Sequence, residues 1–169
     1  FYNIFFIGRL EINKDPYFFL NSLIKIKNIN FNIHIIGEGS EKKKLIKLKK
    51  MYKKINIKIY GHIQNPFEKF NKNIDLFCLT SRFDGTPNVL GEAISFKIPC
   101  INLGKRQEGR YAPKNVLHCS FDKKKIESKF KKSMSKKLLT KIKKIKNPYE
   151  KLNISSNICN IIYSQLKNV

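Results

Sequence analysis

Four apolar runs of this chain close on a glycine: YNIFFIG (2–8), FNIHIIG (31–37), INIKIYG (55–61) and IPCINLG (98–104). Between them lie longer stretches with helical periodicity. Strands separated by helical segments of ten or more residues form βαβ units, and βαβ units build a parallel sheet. A fifth run, IDLFCLT (74–80), and a short sixth, NVLHC (115–119), complete the strand set. The spacing predicts helices over 15–28, 40–54, 65–73 and 87–96, with two or three basic helices after residue 119. Asp15 is the expected N-cap of the first helix, with Pro16 in its first turn, and Ser40 the expected cap of the second. The fold class is α/β, a Rossmann-like doubly wound parallel sheet. At 169 residues the whole chain, 1–169, reads as one domain that buries about 70% of its unfolded surface. No internal repeat or Gly/Ser linker interrupts it. Because the chain begins at Phe1, it is expected to be a piece of something longer.

Composition removes several function classes. The apolar fraction of 41% supports an ordinary core and argues against disorder. No apolar run approaches the roughly 18 residues that span a bilayer, and the opening run reads as a strand and not as a signal peptide. A net charge of +23 would ordinarily point to nucleic acid or an anionic membrane surface. The same lysine-, asparagine- and isoleucine-rich usage also follows from AT-rich codons, so a solvated helix face explains much of the charge. Nucleic-acid modules interleave exposed aromatics with basic residues, whereas here the aromatics sit in the strand-like runs. Cys78, Cys100, Cys119 and Cys159 lack C-x-x-C spacing and read as reduced, buried thiols of a cytoplasmic protein. No His/Cys/Asp cluster has metal-ligand spacing, and no metal is expected.

Glycine and arginine fall where a ligand would need them. Gly8, Gly37, Gly61 and Gly104 close predicted strands, and Gly39, Gly85 and Gly109 lie in the loops beyond strand ends. In an open α/β sheet the ligand crevice lies outside the carboxyl ends of the strands, and glycine there lets backbone approach a ligand. Strand-to-helix turns also use glycine for their own geometry. Of the 35 basic residues only Arg9, Arg82, Arg106 and Arg110 are arginine, each within a few residues of a predicted strand's end. Their planar forks suit phosphate or carboxylate, which points to an anionic ligand.

The stretch SRFDGTPNVLGEA (81–93) breaks the chain's composition with glycine, proline and two acids. Pro87 fits the first turn of a helix whose free N–H groups, around Thr86, Pro87, Asn88 and Val89, make an anion site. Glu92 lies one turn beyond Asn88 on the same face. Phosphate donors would then have a carboxylate on each side, Asp84 and Glu92, to accept hydroxyl hydrogen bonds. A nucleotide diphosphate sugar carries those groups in that order. A capped helix with two surface acids is the alternative.

These segments resemble a known family. GRLEINKD, IHIIGEGSEKKKL, IKIYGHIQNPFEKF and IDLFCLTSRFDGTPNVLGEA are similar, in order, to the C-terminal half of retaining family 4 glycosyltransferases, over residues 3 to about 103. The resemblance implies one half of a two-domain B-type glycosyltransferase fold. It places Asp84 and Glu92 at the family's acid-x7-acid element, with Glu92 on the ribose and Asp84 on the transferred sugar. It matches Arg9 and Lys14 to the basic pair that neutralises the diphosphate. Gly8, Gly37, Glu38, Gly85 and His62 fall beside the nucleotide, the segment after Gly61 nearest the base. Two departures stand out: the family usually has glutamate at Asp84 and glycine at Lys97. Beyond residue 100, INLGKRQEGRYAPKNVLHC and KNPYEKLNISSNICNII are more similar to hydrolysing UDP-N-acetylglucosamine 2-epimerases, which share the fold and also bind a UDP-sugar.

The resemblance implies sugar transfer with retention from a nucleotide sugar, a UDP-sugar first, to a glycan or lipid-linked acceptor. Arg9, Lys14 and the helix N-terminus would stabilise the departing diphosphate without a metal or a permanently bound cofactor. The acceptor side would come from an absent N-terminal domain, toward which the last helices, about 148–169, are expected to pack. Two alternatives stand beside it: an epimerase with Gln107 and Arg110 in the donor pocket, and a non-enzymatic basic module. The expected location is the cytoplasm, with peripheral contact at an anionic inner membrane face.

Overall fold

In a computed structural model, residues 1–26, 29–82, 88–104 and 113–145 are described, together with 156, 159, 160, 163 and 164. Six strands form one parallel sheet: β1 (Tyr2–Ile7), β2 (Phe31–Ile36), β3 (Asn56–Ile59), β4 (Leu76–Leu79), β5 (Cys100–Leu103) and β6 (Val116–Cys119). Their order is β3-β2-β1-β4-β5-β6. The chain winds outward from β1 in one direction, returns beside it with β4, and winds outward the other way. The doubly wound sheet expected from the run spacing is therefore present, with its switch point between β1 and β4. The register sets Ile4 opposite Ile33 on one side and Leu76 on the other.

Helices α1 (Pro16–Leu23), α2 (Lys42–Met51), α3 (Pro66–Phe70), α4 (Asn88–Ser95), α5 (Lys123–Ser133) and α6 (Lys136–Lys143) follow the strands in the expected places. They divide the core between the two sheet faces. Ile4, Phe6, Ile33, Ile35, Leu76 and Cys78 pack with Phe19, Leu20 and Leu23 of α1, Leu45 and Leu48 of α2, and Phe130 of α5. Phe5, Ile7, Phe77, Leu79 and Cys100 pack with Phe67 of α3 and with Leu90, Ala93 and Ile94 of α4. Alternate residues of β1 thus serve opposite faces, as the two-residue period of a strand requires. β4 and β5 are buried at every position, which is why their sequences read as unbroken apolar runs. Each fully buried Phe, Leu or Ile contributes about 1.5–3 kcal/mol.

Local signals hold at α1 and fail at α2. Asp15 caps α1, its Oδ1 accepting from the Phe18 amide at 3.1 Å, with Pro16 opening the first turn. The helix ends at Leu23 and not at 28. The Ile26 amide turns back to the Leu23 carbonyl, which brings the Ile26 side chain into the core. Ser40 does not cap α2. Glu41 holds the N-cap position without a side-chain bond, because the Ser40 hydroxyl donates to Glu11 Oε2 at 2.8 Å. Lys97 takes φ +56 just after α4. Its amide donates to the Ile94 carbonyl and that of Ile98 to Ala93, a Schellman termination whose left-handed position favours glycine. Cys78, Cys100 and Cys119 are buried free thiols, and burial pushes their pKa values up. Cys159 is exposed, contrary to the expectation of four buried thiols; its described neighbours Asn160 and Tyr163 are exposed as well.

Candidate functional site

Beyond the carboxyl ends of β1, β2 and β3 the chain does not disperse into separate loops. The Gly8 amide donates to the Ile36 carbonyl (3.0 Å), Gly37 to Gly61 (2.9 Å), Leu10 to Glu38 (2.8 Å) and Glu41 to Leu10 (2.8 Å). Backbone therefore zips the post-strand segments into a layer. Two glycines make that possible. A Cβ on Gly37, at φ +145, would overlap the Gly8 carbonyl oxygen, and one on Gly39, at φ +153, would lie 2.5 Å from that of Leu10. Side chains reinforce the layer: Glu11 accepts from the Ser40 amide (3.1 Å) and hydroxyl. Those two bonds hold the Glu11 carboxyl below its usual pKa range, with Arg9 nearby adding to the effect.

Above this layer lies a cleft of about 520 Å³. The end of β1 and the segment after it contribute Ile7, Gly8 and Arg9, and the end of β2 and the segment after it Ile36, Gly37 and Glu38. His62, Ile63 and Pro66 come from the segment after β3, and Val89 and Glu92 from the outer face of α4. Seven of the residues named from sequence, Gly8, Arg9, Gly37, Glu38, His62, Val89 and Glu92, thus meet in one place. Glu38 accepts from Lys42 Nζ at 2.6 Å, an exposed pair one helical turn apart. Glu92 and His62 also line an adjoining pocket of about 440 Å³ with Gln64, Asn65, Phe67 and Phe96. The two hollows share His62, Ile63, Pro66 and Glu92 in their linings.

Asn88 opens α4 where expected. Asp84, Gly85, Thr86 and Pro87 lie outside the described residues, as do Arg106, Gln107, Gly109 and Arg110. Lys14 ends a short 3-10 turn, Ile12–Lys14, and is not among the residues lining the cleft. Its backbone is fixed from β4: the Thr80 hydroxyl donates to the Lys14 and Asp15 carbonyls at 2.7 and 3.1 Å. The Arg82 amide and the Ser81 hydroxyl both donate to the Asn13 carbonyl, at 2.9 and 3.4 Å. Thr80 and Ser81 are fully or nearly buried, and sequence reasoning missed them. A hydroxyl pair closing an apolar strand was the available signal.

Arg82 does not join Arg9 at the cleft. Its Nε lies 2.6 Å from Asp15 Oδ2, and its guanidinium stands over the Phe121 ring at 4.8 Å. The arginine expected for an anionic ligand is engaged at the surface by Asp15 and the Phe121 ring. Among the described residues no group of three or more His, Cys, Asp or Glu could hold a metal ion, and no helix is long and apolar enough to cross a membrane.

Chemically the cleft offers one guanidinium, two carboxylates, an imidazole and the outer face of α4 near its N-terminus, over a floor of main chain. Comparison with known proteins bears on the chain as a whole. A sequence profile of the group 1 glycosyl transferases matches residues 2–114, and one of UDP-N-acetylglucosamine 2-epimerase matches 85–163. An uncharacterized glycosyltransferase of Methanocaldococcus jannaschii is 35% identical over 114 residues, 66% of this chain and 27% of that protein. An alpha-1,4-N-acetyl-D-galactosaminyltransferase of Campylobacter jejuni, named for a PP-undecaprenol-linked glycan, is 32% identical over 99 residues, 56% of this chain and 27% of that protein. The chain therefore spans about a quarter of the length of these relatives. Among solved structures, a galactosyltransferase of the lipopolysaccharide outer core superposes with TM-score 0.73 at 22% identity, over 97% of this chain and 49% of that one. An Anabaena protein solved with UDP and glucose gives 0.66 at 14%, over 82% and 40%. The six-stranded sheet is the half-domain of a B-type glycosyltransferase fold.

Proposed function

The chain belongs to the group 1 glycosyl transferases, and from that premise we propose that it is the donor-binding half of an enzyme that transfers a sugar, with retention, from a UDP-sugar to a glycan or lipid-linked acceptor. The product would be a surface polysaccharide or glycoconjugate. The observation that carries this reading is the cleft itself, where Arg9, Glu38, His62 and Glu92 surround a main-chain floor at the switch-point end of the sheet. A nucleotide sugar needs a cation for its diphosphate and acceptors for its hydroxyls. Arg9 and Lys14 supply positive charge, and Glu92 accepts from the ribose. Asp84 accepts from the transferred sugar. The nucleobase lies toward His62 and the pocket beyond it.

In the reaction, the bond between the anomeric carbon and the diphosphate oxygen breaks, and an acceptor hydroxyl forms the new bond on the same face of the sugar while its proton passes to the departing diphosphate oxygen. Negative charge grows on the departing diphosphate. Preorganised donors at that position stabilise the transition state more than the ground state. Arg9, Lys14 and the amides around Thr86 to Val89 fill that role without a metal. UDP recorded with the Anabaena protein and the undecaprenol-linked glycan in the Campylobacter protein's name support the donor and acceptor classes.

Calorimetric titration with UDP and a panel of UDP-sugars tests the reading. Arg9→Ala and Glu92→Ala should each weaken UDP by roughly 1–3 kcal/mol, roughly 5- to 150-fold, the scale of a lost charged hydrogen bond. UDP affinity unmoved by both substitutions would overturn it. The 2-epimerase match over residues 85–163 favours one second reading with the same ligand class. An assay that separates sugar transfer from epimerisation at C2 decides between the two.

A further inference from the structure

A second hollow, whose lining shares no residue with that of the donor cleft, has a different chemistry. Between the start of α1 and the flank of α2 runs a groove of about 780 Å³, larger than the cleft. Ile12, Tyr17 and Met51 line it, and they are 71%, 40% and 67% exposed. Apolar side chains left this open on a folded surface call for a partner. Lys44 and Lys47 stand among them.

The two acids that line the groove are both matched: Asp15 by Arg82 at 2.6 Å and Glu41 by Lys44 at 2.7 Å. Around it the charge is one-sided. Residues 41–54 carry eight lysines and the single acid Glu41. A surface of that kind attracts an anion-rich partner.

We propose that this groove and the outer flank of α2 form a docking face for an anionic lipid bilayer, with Ile12, Tyr17 and Met51 entering the interface and Lys47 and the exposed Lys43 one turn before it reaching phosphate headgroups. Long lysine stems lie along apolar surface while their ammonium groups stay in the polar layer. Tyrosine suits the same boundary, with its ring in the acyl region and its hydroxyl among headgroups. Aliphatic tips combined with a lysine-rich flank are the composition of segments that lie in the plane of a membrane. Nucleic acid fits less well, because Ile12 and Met51, two of the three exposed side chains, offer bases no aromatic face for stacking. The proposal does not depend on what the donor cleft binds.

The chain contains no tryptophan, so Ile12→Trp places a single fluorescent reporter at the groove without disturbing the core. Phe1→Trp, at an 86% exposed position before β1, is the matched control. With vesicles of equal parts phosphatidylglycerol and phosphatidylcholine, the reporter at 12 should shift to the blue and the one at 1 should not. Vesicles of phosphatidylcholine alone should leave both unmoved. Lys43→Gln with Lys47→Gln should lower vesicle affinity roughly 10- to 30-fold. Lys136→Gln with Lys137→Gln, an equal charge loss on α6, should change it less than about threefold. The proposal fails if the reporter at 12 does not shift, or if both reporters shift alike. It fails equally if the α6 control loses as much affinity as the α2 variant. A blue shift that grows with protein concentration in the absence of lipid would assign the groove to a second copy of the chain. A shift with duplex DNA but not with vesicles would assign it to nucleic acid.

Discussion

Replacing Gly37 by alanine puts one methyl group into the backbone layer beneath the cleft. The Gly37 Cβ would overlap the Gly8 carbonyl oxygen, and its φ of +145 lies in a region that side chains rarely adopt. Neither problem can be relieved by a rotamer change, because the obstacle is main chain. Holding the residue in its present conformation costs roughly 1–3 kcal/mol, and displacing the Gly8 strand end another 1–3. Loss of the Gly37 amide bond to the Gly61 carbonyl adds roughly 0.5–1.5 kcal/mol. The expected total is roughly 2.5–7.5 kcal/mol, a large share of the 5–15 kcal/mol typical of a folded domain. With a urea m value of about 2 kcal/mol/M, the unfolding midpoint should fall by roughly 1.2–3.8 M. Gly91→Ala is the opposing control. It sits inside α4, its Cβ would meet nothing within 4 Å, and alanine there should stabilise by roughly 0.5–1 kcal/mol. If Gly37→Ala unfolds within about 1 kcal/mol of the parent, the scale of an ordinary substitution, the layer yields easily and the reasoning is wrong.

Two further outcomes follow from elements outside the cleft. His34 stacks on Phe5 at 4.4 Å with its Nδ1 2.9 Å from the Tyr60 hydroxyl, and burial first, then the charge of Lys58, lowers its pKa below 6.5. The unfolded chain then binds more protons than the folded one as pH falls through that window, so this contribution is complete above 6.5 and is lost below it toward the folded value. Urea midpoints should drop between pH 7.5 and 5, and His34→Gln should flatten that slope; parallel slopes would contradict the assignment. Lys97→Gly should relieve a left-handed residue worth about 1–2 kcal/mol, against roughly 0.5–1 kcal/mol of added unfolded-state freedom. A net gain of roughly 0.5 kcal/mol is expected, and a loss of that size would show that the 3.4 Å contact of Lys97 Nζ with the Lys143 carbonyl matters more than the backbone.

What could be read from sequence was whatever depends on near neighbours. Strand runs, their glycine ends and the Asp15 cap are settled within a few positions, and these appeared where expected. The misreadings share a cause, which is a partner far away in the chain. Ser40 had the local signature of a cap, but Glu11, 29 positions earlier, takes its hydroxyl. Arg82 had the position of a phosphate ligand, but Asp15, 67 positions away, takes its Nε. Thr80 and Ser81 offered only a weak local signal, a hydroxyl pair closing an apolar strand, and they matter because β4 returns beside β1. Lys97 looked like a departure from a pattern, and its φ explains what glycine does at that place.

The zipped layer under the cleft bears on how such a protein can age. Its floor presents amides and carbonyls, groups that every residue but proline supplies in full, so a genome drifting toward AT-rich codons can exchange side chains there without removing them. What drift would erase is the absence of a side chain. Glycine codons begin with two guanines, and mutational pressure of this kind works against them. At Gly37 and Gly39 a side chain would run into main chain, so these are the positions where drift of that kind would cost the layer most.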